Sequence, residues 1–269
     1  MKLGLFGFPI SHSKSPRLFA RLSRLIKRPI SYEAVLAAPG TLAAFAAGAR
    51  DRGWRGANVT VPLKEEAASI SHRLTPAAKA LGAVNVLRFG RTIIGHNTDA
   101  EGLRDAMKRS GVKAKNKSAL VFGAGGAARA AGWALAREGA KSVRFCARTQ
   151  SRARKSAKDL AVHFPRIHVS AGAAAPADIW VNATPLGMKG FPDRTPAPKS
   201  LPSPSTAVDL VYGRKTAFQR DAARRGAKVS DGSAMLVYQA LHAWEFWDKP
   251  LGRSRRAKLA ERLIHEVIS

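Results

Sequence analysis

The chain is short of cysteine, of acidic residues and of long apolar runs. Its one cysteine, Cys146, excludes an internal disulfide and a cysteine-based zinc cluster. That usage suits a reducing compartment, so a cytoplasmic location is expected. The richest apolar stretch, residues 34–49, is interrupted by Pro39-Gly40 and is too short to span a bilayer. Residues 1–10 carry one lysine and a short apolar run broken by Pro9, which does not read as a secretory signal. Neither a membrane partner nor a metal is expected. Asp and Glu total 18 against 46 Lys and Arg, a formal net charge of +28. Such a field attracts phosphates, nucleic acid and anionic metabolites, and is silent on fold. The basic residues are spread along the chain, at Lys113, Lys115 and Lys117, from Arg148 to Lys158 and from Arg253 to Arg262. A dedicated nucleic-acid arm would form one block. Specific nucleic-acid binding therefore stands only as a distant alternative.

What is present is a globular composition, 45% hydrophobic and 24% charged over 269 residues, enough for one large domain or two modest ones. Strand and helix patterns alternate. Residues 2–8 read as a buried strand ended by Pro9, and Pro16 suits the first turn of a helix running to about Lys27. Strands are expected over 31–36 and 56–61, a helix over 40–50, and a helix from Lys64, whose early Glu65 and Glu66 suit a helix N-terminus. A hairpin is expected around Gly90, a helix over 99–110, strands at 118–122, 141–146, 179–182 and 207–211, and helices at 129–138, 233–247 and 254–268. Residues 190–205, rich in proline and serine, read as a surface loop. The pattern defines an α/β protein.

Between the expected strand 118–122 and its helix stands Gly123-Ala-Gly-Gly-Ala-Ala128. Gly123, Gly125 and Ala128 occupy the spacing of a dinucleotide-binding turn: one glycine for the bend, one for close approach to a pyrophosphate, and a small residue for helix–strand packing. The helix N-terminus supplies N–H groups and a positive dipole. An NAD-binding protein places Asp or Glu about 20 residues further on, to hold the ribose hydroxyls. Here that position reads Ala147-Arg148-Thr149, with Arg152 nearby and no carboxylate from Lys141 to Lys158. Guanidinium groups hold a 2′-phosphate that a carboxylate would repel, which selects NADP.

In Asn58-Val-Thr60-Val-Pro-Leu-Lys64, Asn58 and Thr60 share one face of a strand, and Lys64 follows its end. Gly95-His-Asn-Thr-Asp99 ends where a helix begins. A lysine and an aspartate meeting at two loop mouths suit alcohol–ketone chemistry, the lysine moving the hydroxyl proton and the aspartate orienting it. Spacing alone equally allows a surface lysine and a helix-capping aspartate.

These segments resemble the shikimate dehydrogenases. Gly7-Phe-Pro-Ile-Ser-His-Ser13-Lys-Ser15-Pro16 is similar to that family's substrate loop. Asn58–Lys64, Gly82-Ala-Val-Asn85, Asn97-Thr-Asp99, Gly123–Ala128, Arg148-Thr149 with Arg152, Asn182–Met188, Asp209-Leu-Val-Tyr212 and Met235–Ala240 follow in family order, over essentially the whole chain. The resemblance implies an NADP-dependent oxidoreductase interconverting shikimate and 3-dehydroshikimate in aromatic amino acid (chorismate) biosynthesis. It implies Lys64 and Asp99 as the acid–base dyad, with Ser13, Ser15 and Tyr212 on the substrate carboxylate. Asn58, Thr60, Asn85, Asp99 and Gln239 would read the ring hydroxyls. Gly123, Ala124, Gly125, Gly126 and Ala127 would bind the pyrophosphate, Arg148, Thr149 and Arg152 the 2′-phosphate, and Thr184, Leu210 and Gly232 would line the nicotinamide. The implied fold is two α/β domains: a discontinuous substrate domain, 1–99 plus 233–269, and a Rossmann-like NADP-binding domain, 100–232. A monomer or homodimer with small-molecule partners only is expected. The alternative is a sister enzyme acting on quinate or an amino analogue of shikimate. The chain departs from the family pattern at Phe19-Ala20, where His-Asn is usual, and at Ala147, Val86 and Pro76.

Overall fold

The computed structural model describes residues 1–11 and 13–268, and His12 of the Ser11–Pro16 loop lies outside the described residues. It divides into two compact units, Met1–Thr98 with Val237–Ser269, and Asp99–Leu236.

The first unit is built on a mixed six-stranded sheet. Its elements are β1 (Lys2–Gly7), α1 (Ser15–Ile26), β2 (Ser31–Leu36), α2 (Leu42–Asp51), β3 (Gly56–Val59), α3 (Lys64–Ser69), β4 (Arg73–Leu74), α4 (Pro76–Leu81), β5 (Val86–Arg88) and β6 (Ile94–His96). The strand order is β2-β1-β3-β5-β6-β4. β2 and β3 run parallel to β1, whereas β5 is antiparallel to both β3 and β6. The register aligns Tyr32 with Leu3 and Gly56, and Leu5 with Ala34 and Asn58, so Tyr32, Leu3, Leu5 and Asn58 share one face. The other face buries Phe6, Trp54, Ala57 and Val59 with Leu42 and Ala46 of α2. α1 has proline in its first turn, buries Leu18, Phe19 and Leu22, and ends at Lys27 in the left-handed conformation. The expected hairpin around Gly90 is the β5–β6 pair.

The second unit begins at α5 (Asp99–Ser110) and continues through β7 (Ser118–Phe122), α6 (Gly126–Arg137), β8 (Ser142–Cys146), α7 (Gln150–His163), β9 (His168–Ala171), β10 (Ile179–Asn182), β11 (Thr206–Asp209), α8 (Ala217–Arg224) and β12 (Lys228–Ser230). All its strand pairs are parallel, in the order β12-β11-β10-β7-β8-β9. This is the doubly wound order of a Rossmann sheet, whose switch point lies between β7 and β10. Leu120, Phe122, Trp180, Ala207 and Phe218 pack one side of it. The helix α6 starts at Gly126 rather than at the expected Arg129, because the glycine turn itself is its N-terminus. Four elements of this unit, α7, β9, α8 and β12, carry patterns too polar or too short to stand out in the sequence.

The boundary between the units falls inside α9 (Ser233–Trp247), which α10 (Arg253–Leu263) and a π-helical turn, Ile264–Ile268, follow. Among the described residues no helix is long and apolar enough to cross a membrane.

Candidate active site

In the second unit the site is made of backbone. Gly123 leaves β7 with φ +114°, a conformation in which a side chain is strained, and a Cβ there would stand 2.8 Å from the Ala183 carbonyl oxygen on the neighbouring β10 loop. Gly125 is different: a Cβ on it would meet nothing within 4 Å. It is the N-cap of α6, and no side chain caps that helix. The turn thus leaves an open cradle in front of the helix N–H groups at the switch point, the arrangement that admits phosphates.

Arg148 and Thr149 follow β8 and are exposed, and Thr149 is the N-cap of α7 with no side-chain capping bond. Arg152 is exposed one turn into α7. These residues fit a dinucleotide whose ribose bears a phosphate. Cys146, at the end of β8, is a free cysteine whose thiol burial pushes up, with Arg144 opposing.

The β10 and β11 ends are tied together beneath their loops. Asn182 and Asp209 are both fully buried. Asn182 Nδ2 donates to Asp209 Oδ1 at 2.9 Å, while Asn182 Oδ1 accepts from the Thr184 N–H and hydroxyl at 3.1 and 2.6 Å. Asp209 also accepts from Val211 N, Thr216 Oγ1 and Gln219 Nε2 at 3.1, 2.5 and 3.1 Å. Burial raises the Asp209 carboxyl, and these donors pull it back down. The network aims the loops that carry Thr184, Leu210 and Tyr212. Gly232 packs on the same place, since a Cβ there would collide with the Leu210 carbonyl.

In the first unit the candidate groups are side chains. Ser13 Oγ accepts from the Ser15 N–H at 3.2 Å, and Ser15 is buried. Asn58 and Asn85 are 5% and 2% exposed. Asn58 Nδ2 donates to the Asn85 carbonyl at 3.3 Å, and Asn85 Nδ2 donates to Gln239 Oε1 at 3.4 Å. Asn85 Oδ1 accepts from Thr98 N at 2.8 Å. The fold therefore gathers Asn58, Asn85 and Gln239, from three distant segments, into one hydrogen-bonded cluster. Thr60 is half-buried just past the end of β3. Lys64 opens α3 half-buried, and its carbonyl accepts from Val84 N at 2.9 Å. Asp99, 4% exposed, opens α5, and Tyr212 follows β11 half-buried, both in the second unit.

Reasoning from sequence overlooked Tyr32, whose hydroxyl donates to Asn58 Oδ1 at 2.8 Å, and Thr98, which bridges to Asn85. The parallel pairing of β2 with β1 was the missing information for Tyr32. Thr98 sat in plain view inside the Asn97-Thr-Asp99 motif.

A Rossmann sheet with an open glycine turn at its switch point, followed by exposed arginines, marks the chain as a dinucleotide-binding α/β protein. Comparison with known proteins narrows the class. Residues 5–87 match the model of the shikimate dehydrogenase substrate binding domain. The chain is 39% identical over 272 residues to the NADP-dependent shikimate dehydrogenase of Rubrobacter xylanophilus, covering 96% of this chain and 95% of that protein. It is 36% identical over 250 residues to that of Methanothrix thermoacetophila, covering 92% of each. The Thermus thermophilus shikimate 5-dehydrogenase, solved in complex with NADP(H) and shikimate, superposes with a TM-score of 0.85 at 34% identity, over 98% of this chain and 99% of that one. The chain belongs to the shikimate dehydrogenase family.

Proposed function

We propose that the chain catalyses the reversible, NADP-linked interconversion of shikimate and 3-dehydroshikimate, in the cytoplasm, for aromatic amino acid biosynthesis. The observation that carries this reading is the convergence of buried Asn58 and Asn85 with half-buried Gln239 in one hydrogen-bonded cluster. Amide groups held in an apolar interior suit a ligand rich in hydroxyls, because an unfilled polar pocket rejects a ligand that lacks them.

In this reading the first unit binds substrate and the second binds NADP. Ser13, Ser15 and Tyr212 hold the carboxylate, while Asn58, Thr60, Asn85, Asp99 and Gln239 read the ring hydroxyls. Lys64 Nζ takes the proton of the reacting hydroxyl in the oxidative direction and returns it in the reductive one. Asp99 orients that hydroxyl and balances the charge. Gly123–Ala127 hold the pyrophosphate, and Arg148, Thr149 and Arg152 hold the 2′-phosphate. Thr184, Leu210 and Gly232 shape the nicotinamide side. NADP, when bound, accepts or supplies the hydride.

The test is an absorbance assay of NADPH with purified protein, crossing NADP or NAD with shikimate or quinate. The reading expects the highest kcat/KM for shikimate with NADP. Turnover of quinate above that of shikimate would assign the sister activity, and no turnover of either would refute the reading.

A further inference from the structure

Tyr32 is a half-buried residue where no motif points. It sits on β2, two strands away from Asn58 on β3, and shares a sheet face with it because the register of β1 with its two neighbours puts them in phase. Its ring stacks on Phe19 with centroids 4.3 Å apart and planes within 7°. Phe19 is fully buried, so the phenol is backed by an apolar wall without a donor of its own.

The hydrogen bonds around Asn58 have one consistent assignment. The Asn85 carbonyl only accepts, so it takes a hydrogen of Asn58 Nδ2, at 3.3 Å. Oδ1 therefore faces Tyr32, and the phenol donates to it at 2.8 Å. Flipping the carboxamide would lose the bond to the Asn85 carbonyl and set Oδ1 against another acceptor. Its second Nδ2 hydrogen is used by no other described residue. Burial raises the Tyr32 phenol, and the Ser15 side chain partly opposes that rise. One hydroxyl thus sits between a candidate carboxylate binder and a candidate hydroxyl reader.

We propose that Tyr32 is a positioning residue for substrate, its phenol fixing the Asn58 carboxamide with an amide hydrogen committed to the ligand. The inference rests on the reading that Asn58 touches substrate. Preorganisation of this kind strengthens binding in ground and transition states alike, so its loss appears in KM and not in kcat.

The test is Tyr32→Phe, which keeps the ring and its stack on Phe19. The KM for shikimate is expected to rise about 5- to 15-fold. kcat should stay within about twofold, and the KM for NADP should not change. In an Asn58→Ala background the same change should add nothing, because the group it positions is gone. A Tyr32 that served only the fold would lower thermal stability and shift KM equally in both backgrounds, which would overturn the proposal. If Asn58→Ala raises KM and Tyr32→Phe does not, the positioning role fails while the substrate reading stands. If Asn58→Ala leaves KM unchanged, both fail. Should Tyr32→Phe not fold, the native protein still decides. Hydrogen exchange followed by NMR is expected to show one Asn58 side-chain amide proton protected without ligand and the other protected only on adding shikimate. Two protons that exchange equally fast with and without shikimate would overturn the assignment.

Discussion

The two units solve recognition with different materials. The second presents backbone: a glycine turn at a sheet switch point, an uncapped helix N-terminus and exposed arginines after the next strand. The first presents buried and half-buried side chains that hold one another, Tyr32 to Asn58 and Asn85 to Gln239 and Thr98. A phosphate site on backbone tolerates change in most side chains but not in the glycine whose φ makes the bend. A site of cross-bonded amides is sensitive at every member, because each lost partner leaves another buried group unsatisfied.

That contrast can be broken first at Gly123. Gly123→Ala puts a Cβ 2.8 Å from the Ala183 oxygen at φ +114°. We expect a loss of about 2–4 kcal/mol of stability and at least tenfold weaker NADP binding, with shikimate binding by the native-like fraction unchanged. Calorimetry and fluorescence titration of NADPH would measure both, and an unaffected NADPH affinity would contradict the backbone account. Next come Ser13→Ala and Ser15→Ala, each removing a proposed hydrogen bond to the substrate carboxylate, about 1.5–3 kcal/mol. They should raise the KM for shikimate and spare that for NADP. An unchanged KM in both would move the carboxylate elsewhere.

The third prediction concerns the side-chain part of the proposed phosphate site. Arg148→Ala should cost about tenfold in NADP over NAD preference, through a higher KM for NADP, because one arginine–phosphate contact is worth about 1.4 kcal/mol. If the preference came instead from the field of a +28 chain, one lost charge would hardly matter. The preference would then fade as salt rises past physiological strength, where the Debye length is about 8 Å. Measuring kcat/KM for both cofactors at two salt concentrations separates the accounts.

The fourth and smallest concerns acid. Burial, then His242 and Arg88, lower the His96 pKa to about 4. Its Nδ1 lies 2.8 Å from the Thr75 hydroxyl, which caps α4. A histidine whose folded pKa lies below its unfolded value of about 6.5 adds stability above that value, and the contribution is lost as pH falls toward 4. We expect about 1–2 kcal/mol to be gone by pH 5, and His96→Gln to flatten that slope in chemical denaturation. Asp209 of the second unit acts oppositely: a carboxyl raised by burial favours the folded state as pH falls through its range. Hydrogen exchange at pH 5 should therefore loosen the first unit before the second, and the reverse order would contradict the contrast.

The same contrast explains what could be read in advance. The glycine turn, the missing carboxylate and the strands that flank them are local in sequence, and β7, β10, α5 and α9 match their expected ranges. The Asn58–Asn85–Gln239 cluster was legible only through family motifs, since pairing across a sheet follows from register and not from spacing. Tyr32 and the Asn182–Asp209–Thr216 network were not legible as site elements, because a hydrogen bond between strands leaves no periodic trace. The helix α7 escaped notice because charge dominates its pattern, Arg152, Arg154, Lys155 and Lys158 standing on an exposed face around Ala153, Ala157 and Leu160.

The central claim is that one lysine and one aspartate act as a unit on the reacting hydroxyl. It is tested most directly by a double-mutant cycle in kcat with shikimate and NADP, using Lys64→Ala, Asp99→Asn and the double variant. The account predicts that each single change cuts kcat by about 10²–10⁴-fold with little effect on binding, and that the double variant is scarcely slower than the slower single one. Near-native turnover of Lys64→Ala, or losses that multiply in the double variant, would contradict it.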